Sequence, residues 1–320
     1  MPSLSPPPLA SVRRSRYTRD TPGHMLLTPD DLEIIRHIAK HRFLRSSHLI
    51  RLLPHRSEKK LVERLCVLFH NGFLDRPRAQ LDYYAAAGSA PMVYALGNQG
   101  AAVLAEVDGA HRTHVDWADK NRSAGRLFID HTLGTADVMV AMHCAANARN
   151  DVRIIEAHEI YARAPKATPS PHHPFALKIR AHHNGTSTDL AVIPDQVFGL
   201  DFVGKDDAKY FFLEADRATM PVMRANLMQT SMLRKFLAYL AGGGAANVFG
   251  RQLGIGNFRV LTVTTTCERT ETMIAALKEA AGGAASRQFL FTDIDKLAAA
   301  SDVLTLDWTS GKGEAVRLVD

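Results

Sequence analysis

The sequence predicts an α/β (α+β) protein of two domains, with a mainly helical first third and a mixed-sheet remainder. Three observations lead to this prediction. The chain has 320 residues, which is more than one hydrophobic core usually holds. Three helix patterns follow one another in the first third, and strand and helix patterns alternate after it. We expect a disordered basic arm over 1–26, a first domain over 27–106, a linker over 107–124, a second domain over 125–300 and a tail over 301–320.

The composition is that of an ordinary globular chain. Hydrophobic residues make up 46% and charged residues 22%, and no apolar run approaches the roughly 18 residues that cross a bilayer. We therefore expect no membrane contact, and the cysteine usage described below favours the reducing cytoplasm. The net charge of +6 favours an anionic partner. Cys66, Cys144 and Cys267 lie far apart, so their spacing indicates neither a disulfide framework nor a cysteine zinc site.

The first domain begins with three predicted helices. Thr28 suits the cap of a helix over 28–41, and Pro29 suits its first position. A second, short helix is predicted over 46–53, where a proline follows it. A third runs over 57–70 and ends at an Asn-Gly pair, which is typical of a helix C-terminus.

A short hairpin and a closing helix complete this domain. Strands are predicted over 73–74 and 92–96, and the segment between them carries Arg76 and Arg78. A last helix is predicted over 97–105. Three helices followed by a basic hairpin are the pattern of a winged helix-turn-helix.

Basic residues on this domain point to double-stranded DNA as the partner. Lys59, Lys60 and Arg64 lie on the outer side of the third helix, the candidate recognition helix, and Arg76 and Arg78 lie in the wing. The alternative is a protein-interaction module whose basic residues are merely solvated. The sequence favours DNA because the helix and the wing are basic together.

Strand and helix patterns alternate through the second domain. The predicted elements are a helix over 126–149, a strand over 152–161, a loop over 163–174, two extended runs within 187–202, a strand over 209–216, a helix over 222–240, a strand over 258–265, a helix over 269–281 and a strand over 288–292. This order describes an α/β domain with a mixed sheet.

Three carboxylates are the candidate chemical groups of this domain. Asp195 is predicted to end an apolar strand, and Glu214 and Asp216 share one face at the end of another. If the three converge, they offer the oxygen ligands that Mg²⁺ or Mn²⁺ prefers, and a metal there would activate water. The alternative is that these acids pair with nearby arginines, of which the candidates are Arg217, Arg224 and Arg234.

The order of these elements resembles the core of the PD-(D/E)XK nucleases. The resemblance implies that Asp195, Glu214 and Asp216 are metal-binding and catalytic residues for DNA cleavage. One position departs from it, because Asp216 stands where these nucleases carry a lysine that stabilises developing charge. Lys235 lies in the following helix, to which that lysine has moved in some of these nucleases. His131, in the first helix of the domain, is either the fifth member of the catalytic set or a core or capping histidine.

From residue 27 to about 297 the chain resembles the replication-relaxation family of bacterial plasmids and integrated mobile elements. The matching segments are RLCVLFHNGFLDR, YALGNQG, IDHTLGTADV with His131, Pro194-Asp195, LEADRATMP, and Lys235 with Tyr239. Tyr239 follows Lys235 by one turn, so it either faces the acidic strand with Lys235 or packs against the sheet. The resemblance implies a DNA-binding role in replication, relaxation or mobilisation of the element.

Four histidines lie in a polar region around the predicted loop. They are His172, His173, His182 and His183. Adjacent pairs of this kind rarely form a transition-metal site without further ligands. We therefore predict that all four are loop residues.

Three functions follow from these features. The first is a DNA-binding protein of a plasmid or mobile element whose second domain is a structural or DNA-clamping relative of a nuclease. The second is a DNA endonuclease that depends on Mg²⁺ or Mn²⁺. The third is a winged-helix transcriptional regulator. Besides DNA, the expected partners are a second copy of the chain, since helix-turn-helix proteins often bind as dimers, and other proteins of the mobile element.

Overall fold

The structure is a computed structural model that describes residues 16–80, 90–109, 115–165, 174–183, 185–205, 208–224 and 226–319. Contacts divide the chain into two compact units, Met1–Ile129 and Asp130–Asp320. Among the helices of these described ranges, none is long and apolar enough to cross a membrane.

The first unit combines helices with a small antiparallel sheet. Its elements are α1 (Pro29–His41), β1 (Phe43–Arg45), α2 (Ser46–Leu52), α3 (Glu58–His70), β2 (Leu74–Asp75), a 3-10 turn (Arg78–Gln80), β3 (Val93–Leu96), α4 (Asn98–Val107) and α5 (Trp117–Arg122). The three strands lie in the order β1-β3-β2, with both pairs antiparallel. The middle of the predicted wing, residues 81–89, lies outside the described residues.

The predicted cap and the predicted apolar face account for the first helices. The Thr28 side chain accepts a hydrogen bond from the Asp31 amide, and the Asp31 side chain accepts one in return from the Thr28 amide. Leu61, Leu65 and Leu68 of α3 are fully buried, as the helical spacing predicts. The closing helix α4 lies close to the turn after α3, because a Cβ at Gly97 would be 2.2 Å from the Gly72 carbonyl oxygen.

Two segments of the first unit are more ordered than predicted. Residues 16–26 belong to the predicted disordered arm, but Arg19 donates from Nε to the Phe69 carbonyl oxygen at 2.9 Å and from Nη2 to that of Leu74 at 3.0 Å. The predicted linker contains α5, whose buried Asn121 donates to the Leu96 carbonyl oxygen at 2.9 Å. Both predictions are corrected. The two segments are polar in composition, but their polar side chains donate hydrogen bonds to backbone carbonyls of the first unit.

The second unit contains the larger sheet. Its elements are α6 (Arg126–Asn147, which begins just before the boundary), β4 (Val152–Ile155), α7 (Ala157–Ala162), β5 (Leu177–His183), β6 (Thr186–Val192), β7 (Gln196–Phe202), β8 (Lys209–Ala215), α8 (Met232–Gly243), α9 (Val248–Leu253), β9 (Phe258–Thr264), α10 (Cys267–Ala280), β10 (Phe289–Asp293), α11 (Ile294–Ala299), β11 (Trp308–Ser310) and β12 (Ala315–Val316). Seven strands form one sheet in the order β12-β11-β10-β9-β8-β7-β4. Strands β8, β9 and β10 are parallel to one another and the other pairs are antiparallel, which confirms the predicted mixed sheet.

Alternating side chains of the central strands supply two hydrophobic cores. Phe212 of β8 points into one core with Phe236 of α8, and Phe211 points into the other with Met139 of α6. Strands β5 and β6 form a separate two-stranded ribbon whose inner face joins the first of these cores. The region of the sheet where β7 begins and β8 ends therefore has a hydrophobic core packed on each face.

Two predicted elements of the second unit have different bounds in the structure. The strand predicted over 152–161 is a short β4 followed by α7, whose amino end is formed by Glu156 and Glu159. The helix predicted from 222 begins ten residues later as α8, because the backbone folds back: the Leu233 amide donates to the Val222 carbonyl oxygen at 2.9 Å.

The predicted tail and the predicted histidine loop are also corrected. Residues 301–320 were expected to extend beyond the fold, but β11 and β12 add two strands to the sheet and Trp308 is fully buried. His182 and His183 lie in strand β5 rather than in a loop. His172 and His173 lie outside the described residues.

Candidate functional site

Asp195 and Glu214 meet where β7 begins and β8 ends. Asp195 precedes β7 rather than ending a strand, and its amide donates to the Leu213 carbonyl oxygen at 3.0 Å. Its Oδ2 accepts from the Ala215 amide at 2.8 Å. Backbone pairing of the two strands thus fixes this carboxylate beside Glu214.

Helix α8 supplies both partners of the Glu214 carboxylate. Lys235 Nζ donates to Glu214 Oε2, and the Tyr239 hydroxyl donates to Glu214 Oε1 at 2.6 Å. Lys235 and Tyr239 are four residues apart and therefore face the same strand. Glu214 and Tyr239 are almost entirely buried, so the Tyr239 hydroxyl serves as an internal donor.

His131 and Lys235 both approach Asp195. His131 Nε2 lies 3.2 Å from Asp195 Oδ1, and Lys235 Nζ lies 3.9 Å from the same oxygen. The sequence leaves two interpretations of His131 open, a member of the acidic site or a core or capping histidine. The structure places its side chain in contact with Asp195. We call Asp195, Glu214, Lys235, Tyr239 and His131 the carboxylate cluster.

The charges of Asp195, His131 and Lys235 stabilise one another. Burial would raise the pKa of Asp195, but His131 and Lys235 outweigh it and lower that pKa. The hydrogen bond to Asp195 raises the pKa of His131 against the effect of burial. Burial would lower the pKa of Lys235, but Glu214 and Asp195 raise it, so Lys235 stays an ammonium at physiological pH. Burial raises the pKa of Glu214 to about 7 despite Lys235.

Asp216 forms its side-chain hydrogen bonds with residues outside the carboxylate cluster. Its Oδ2 accepts from Arg269 Nε at 2.5 Å and from Thr264 Oγ1 at 2.7 Å, and its Oδ1 accepts from Arg269 Nη2 at 2.9 Å. The acid does pair with an arginine, as one alternative predicted, but with one in α10. Arg269 lies in the first turn of α10, which follows β9, the strand that pairs with β8 in parallel.

In this arrangement the protein's own donors engage the carboxylate oxygens that would hold a divalent metal ion. Both oxygens of Glu214 and Oδ2 of Asp195 already accept hydrogen bonds, and the Lys235 ammonium lies near the remaining oxygen. Magnesium requires open oxygen ligands in near-octahedral geometry. Within the described ranges, no group of three or more histidine, cysteine, aspartate or glutamate residues is arranged to hold a metal.

The predicted DNA-contacting residues of the first unit fall into two groups. Lys59 and Lys60 at the start of α3 are exposed, and so is Arg78 in the 3-10 turn. Arg64 donates from Nε to Asp31 Oδ1 at 2.7 Å and from Nη2 to Asp31 Oδ2 at 2.5 Å. Arg64 therefore joins α3 to α1 instead of facing outward.

Arg76 is also an internal residue. Its side chain is 8% exposed and donates from Nη2 to the Tyr94 hydroxyl at 3.1 Å. Its guanidinium carbon lies 4.2 Å from the centre of the Phe69 ring. Of the two arginines predicted to lie in a wing, Arg78 is the exposed one.

Comparison with known families identifies one match. A model of the family described as Replication-relaxation matches residues 35–247. The matched range contains both α3 and the whole carboxylate cluster. Comparisons with curated proteins and with solved structures find no match.

Proposed function

Because the chain belongs to the replication-relaxation family, we propose that it is a DNA-binding protein of a plasmid or integrated mobile element, acting in replication, relaxation or mobilisation. The first unit binds duplex DNA as a winged helix, with α3 as the recognition helix. The second unit supports or clamps the DNA through a nuclease-like fold that does not cleave it.

The exposed start of α3 is the observation that carries the proposal. Lys59 and Lys60 occupy the first turn of α3, and neither forms an ion pair within the described residues. In helix-turn-helix proteins the amino-terminal residues of the recognition helix enter the major groove. The helix and strand order around α3, with its antiparallel β1-β3-β2 sheet, supports a winged-helix arrangement.

DNA binding is tested with a variant that removes the two lysines. We expect Lys59→Ala/Lys60→Ala to weaken binding to a fluorescent duplex and to reduce the slope of log affinity against log salt by about two. The matched control is Lys278→Ala/Lys312→Ala, which removes the same charge from exposed positions of the second unit. Equal affinity of both variants and the native protein would overturn the winged-helix proposal.

The bonding of the carboxylate cluster supports a second unit that does not cut. Lys235 supplies a cation to the pair Asp195–Glu214, and Asp216 is held by Arg269. A metal-dependent nuclease needs these acids as open ligands.

The absence of cleavage is tested on supercoiled and linear DNA with Mg²⁺ or Mn²⁺. We expect the native protein to leave both substrates intact at concentrations that bind DNA fully. The Asp195→Ala/Glu214→Ala variant is purified in parallel to identify contaminating nuclease. Nicking by the native protein that this variant lacks would show a metal-dependent endonuclease instead.

A further inference from the structure

The β5–β6 ribbon presents a buried face and a solvent face. Leu177, Ile179 and Ala181 of β5 are buried in the core that includes Leu237 of α8. The two strands pair in antiparallel register from Leu177↔Val192 to His183↔Thr186. The inner face thus anchors the ribbon to the domain and leaves the outer face in solvent.

Basic side chains occupy the outer face of β5 at every second position. Lys178, Arg180 and His182 are exposed. Alternate residues of a strand are roughly 7 Å apart, which is comparable to the distance between neighbouring phosphates along one DNA strand. The outward positions of the paired strand are Ser187, Asp189 and Ala191.

The partners of these basic groups within the ribbon are weak or neutral. Arg180 Nε lies 3.2 Å from Asp189 Oδ1, with both side chains 69% exposed, so the pair contributes little stability. His182 Nδ1 lies 2.7 Å from the Ser187 hydroxyl. A phosphate would compete readily with Asp189 for Arg180.

We propose that the outer face of the β5–β6 ribbon binds the phosphodiester backbone of duplex DNA. The roughly 7 Å spacing of the outward basic side chains lets them contact successive phosphates of one DNA strand, and phosphate contacts carry no sequence information. This inference rests on the proposed DNA-binding function and adds a contact surface in the second unit. The contact is electrostatic and independent of sequence.

Opposite charge changes on the same face test the inference in the full-length protein. We expect Lys178→Ala/Arg180→Ala to weaken duplex binding by on the order of tenfold at low salt and to lower the salt slope by about two. We expect Asp189→Asn to tighten binding, because it frees Arg180 and removes a negative charge that repels phosphate. The matched control is Arg163→Ala/Lys278→Ala. It removes one exposed arginine, which forms a long ion pair with Glu159, and one exposed lysine.

The outcomes separate this inference from the proposed function. Unchanged binding of the ribbon variants, with binding still reduced by Lys59→Ala/Lys60→Ala, would overturn the ribbon contact and leave the winged-helix proposal standing. If the ribbon variants lose as much affinity for a polyglutamate competitor as for duplex DNA, the ribbon is a general anion-binding surface. That result would also overturn the proposed DNA contact. Circular dichroism melting of each variant shows whether the fold is retained.

Discussion

Single residues in this protein divide into those that hold the fold and those that remain available to a partner. Arg64 and Lys60 lie on the same helix, yet Arg64 is bonded to the buried Asp31 and Lys60 is exposed. Burial would raise the pKa of Asp31, but the hydrogen bonds from Arg64 and Thr28 outweigh it and lower that pKa. Arg64 and Thr28 together thus stabilise the charged form of Asp31.

The Arg64–Asp31 pair gives the first prediction for stability. Arg64→Ala would leave a buried carboxylate without its cation, and we expect the free energy of unfolding to fall by about 3 kcal/mol in urea titrations. Lys60→Ala on the same helix should change it by less than about 0.5 kcal/mol. If both variants are equally stable, the pair does not hold α3 to α1.

The His131–Asp195 contact predicts a pH dependence of stability. The pKa of His131 is raised in the folded state, so its contribution is complete below the ordinary histidine pKa of about 6.5 and is lost as pH rises through the raised value. We expect His131→Asn to lower the free energy of unfolding at pH 5.5 by about 1 kcal/mol or less, since His131 is 43% exposed. The difference should shrink at pH 8.5.

The control for this pH dependence is the same substitution in an Asp195→Asn background. Without the carboxylate, the His131→Asn effect should no longer be larger at pH 5.5 than at pH 8.5, because the hydrogen bond to Asp195 is the main interaction that raises the pKa of His131. A pH-independent difference in the native background would show that the hydrogen bond does not depend on a charged imidazole.

Helices and strands with strong local signals were predictable from the sequence. The Thr28 cap and the helical spacing of buried leucines defined α1 and α3, and β8 was predicted to within one residue. The late start of α8 was not predictable, because it depends on hydrogen bonds from Met232 and Leu233 back to a distant turn. Local patterns do not contain such contacts.

The candidate site was predictable in part, because four of the five predicted residues meet in the carboxylate cluster and Asp216 does not. Asp195 and Glu214 were identified from residue type and order and Lys235 and His131 from the resemblance to the nuclease core, and the structure brings these four together. The partner of Asp216 was not identified, because Arg269 reaches it only through the parallel pairing of β8 with β9. Pairing between strands decides which neighbours meet, and one sequence does not reveal it.

At the scale of the whole molecule, residues 301–319 belong to the fold of the second unit and do not form a separate tail. The sequence predicts a tail over 301–320, yet β11 pairs with β10 through Leu290↔Ser310 and Phe291↔Thr309. Val303, Leu304 and Leu318 are buried beside Trp308. The sheet therefore ends on the two-residue β12, and so short an edge strand offers little backbone for pairing with other chains.

The two tryptophans of the chain allow a direct test of this boundary. Trp308 is the fluorophore that remains in Trp117→Phe. We expect its emission to be that of a buried indole, with slow quenching by acrylamide that becomes fast on unfolding in urea, because the side chain is fully buried. The complementary variant Trp308→Phe reports on Trp117 alone, and Trp308→Ala should lower the free energy of unfolding by about 4 kcal/mol. Red-shifted, freely quenched emission from folded Trp117→Phe would instead place residues 301–319 outside the core.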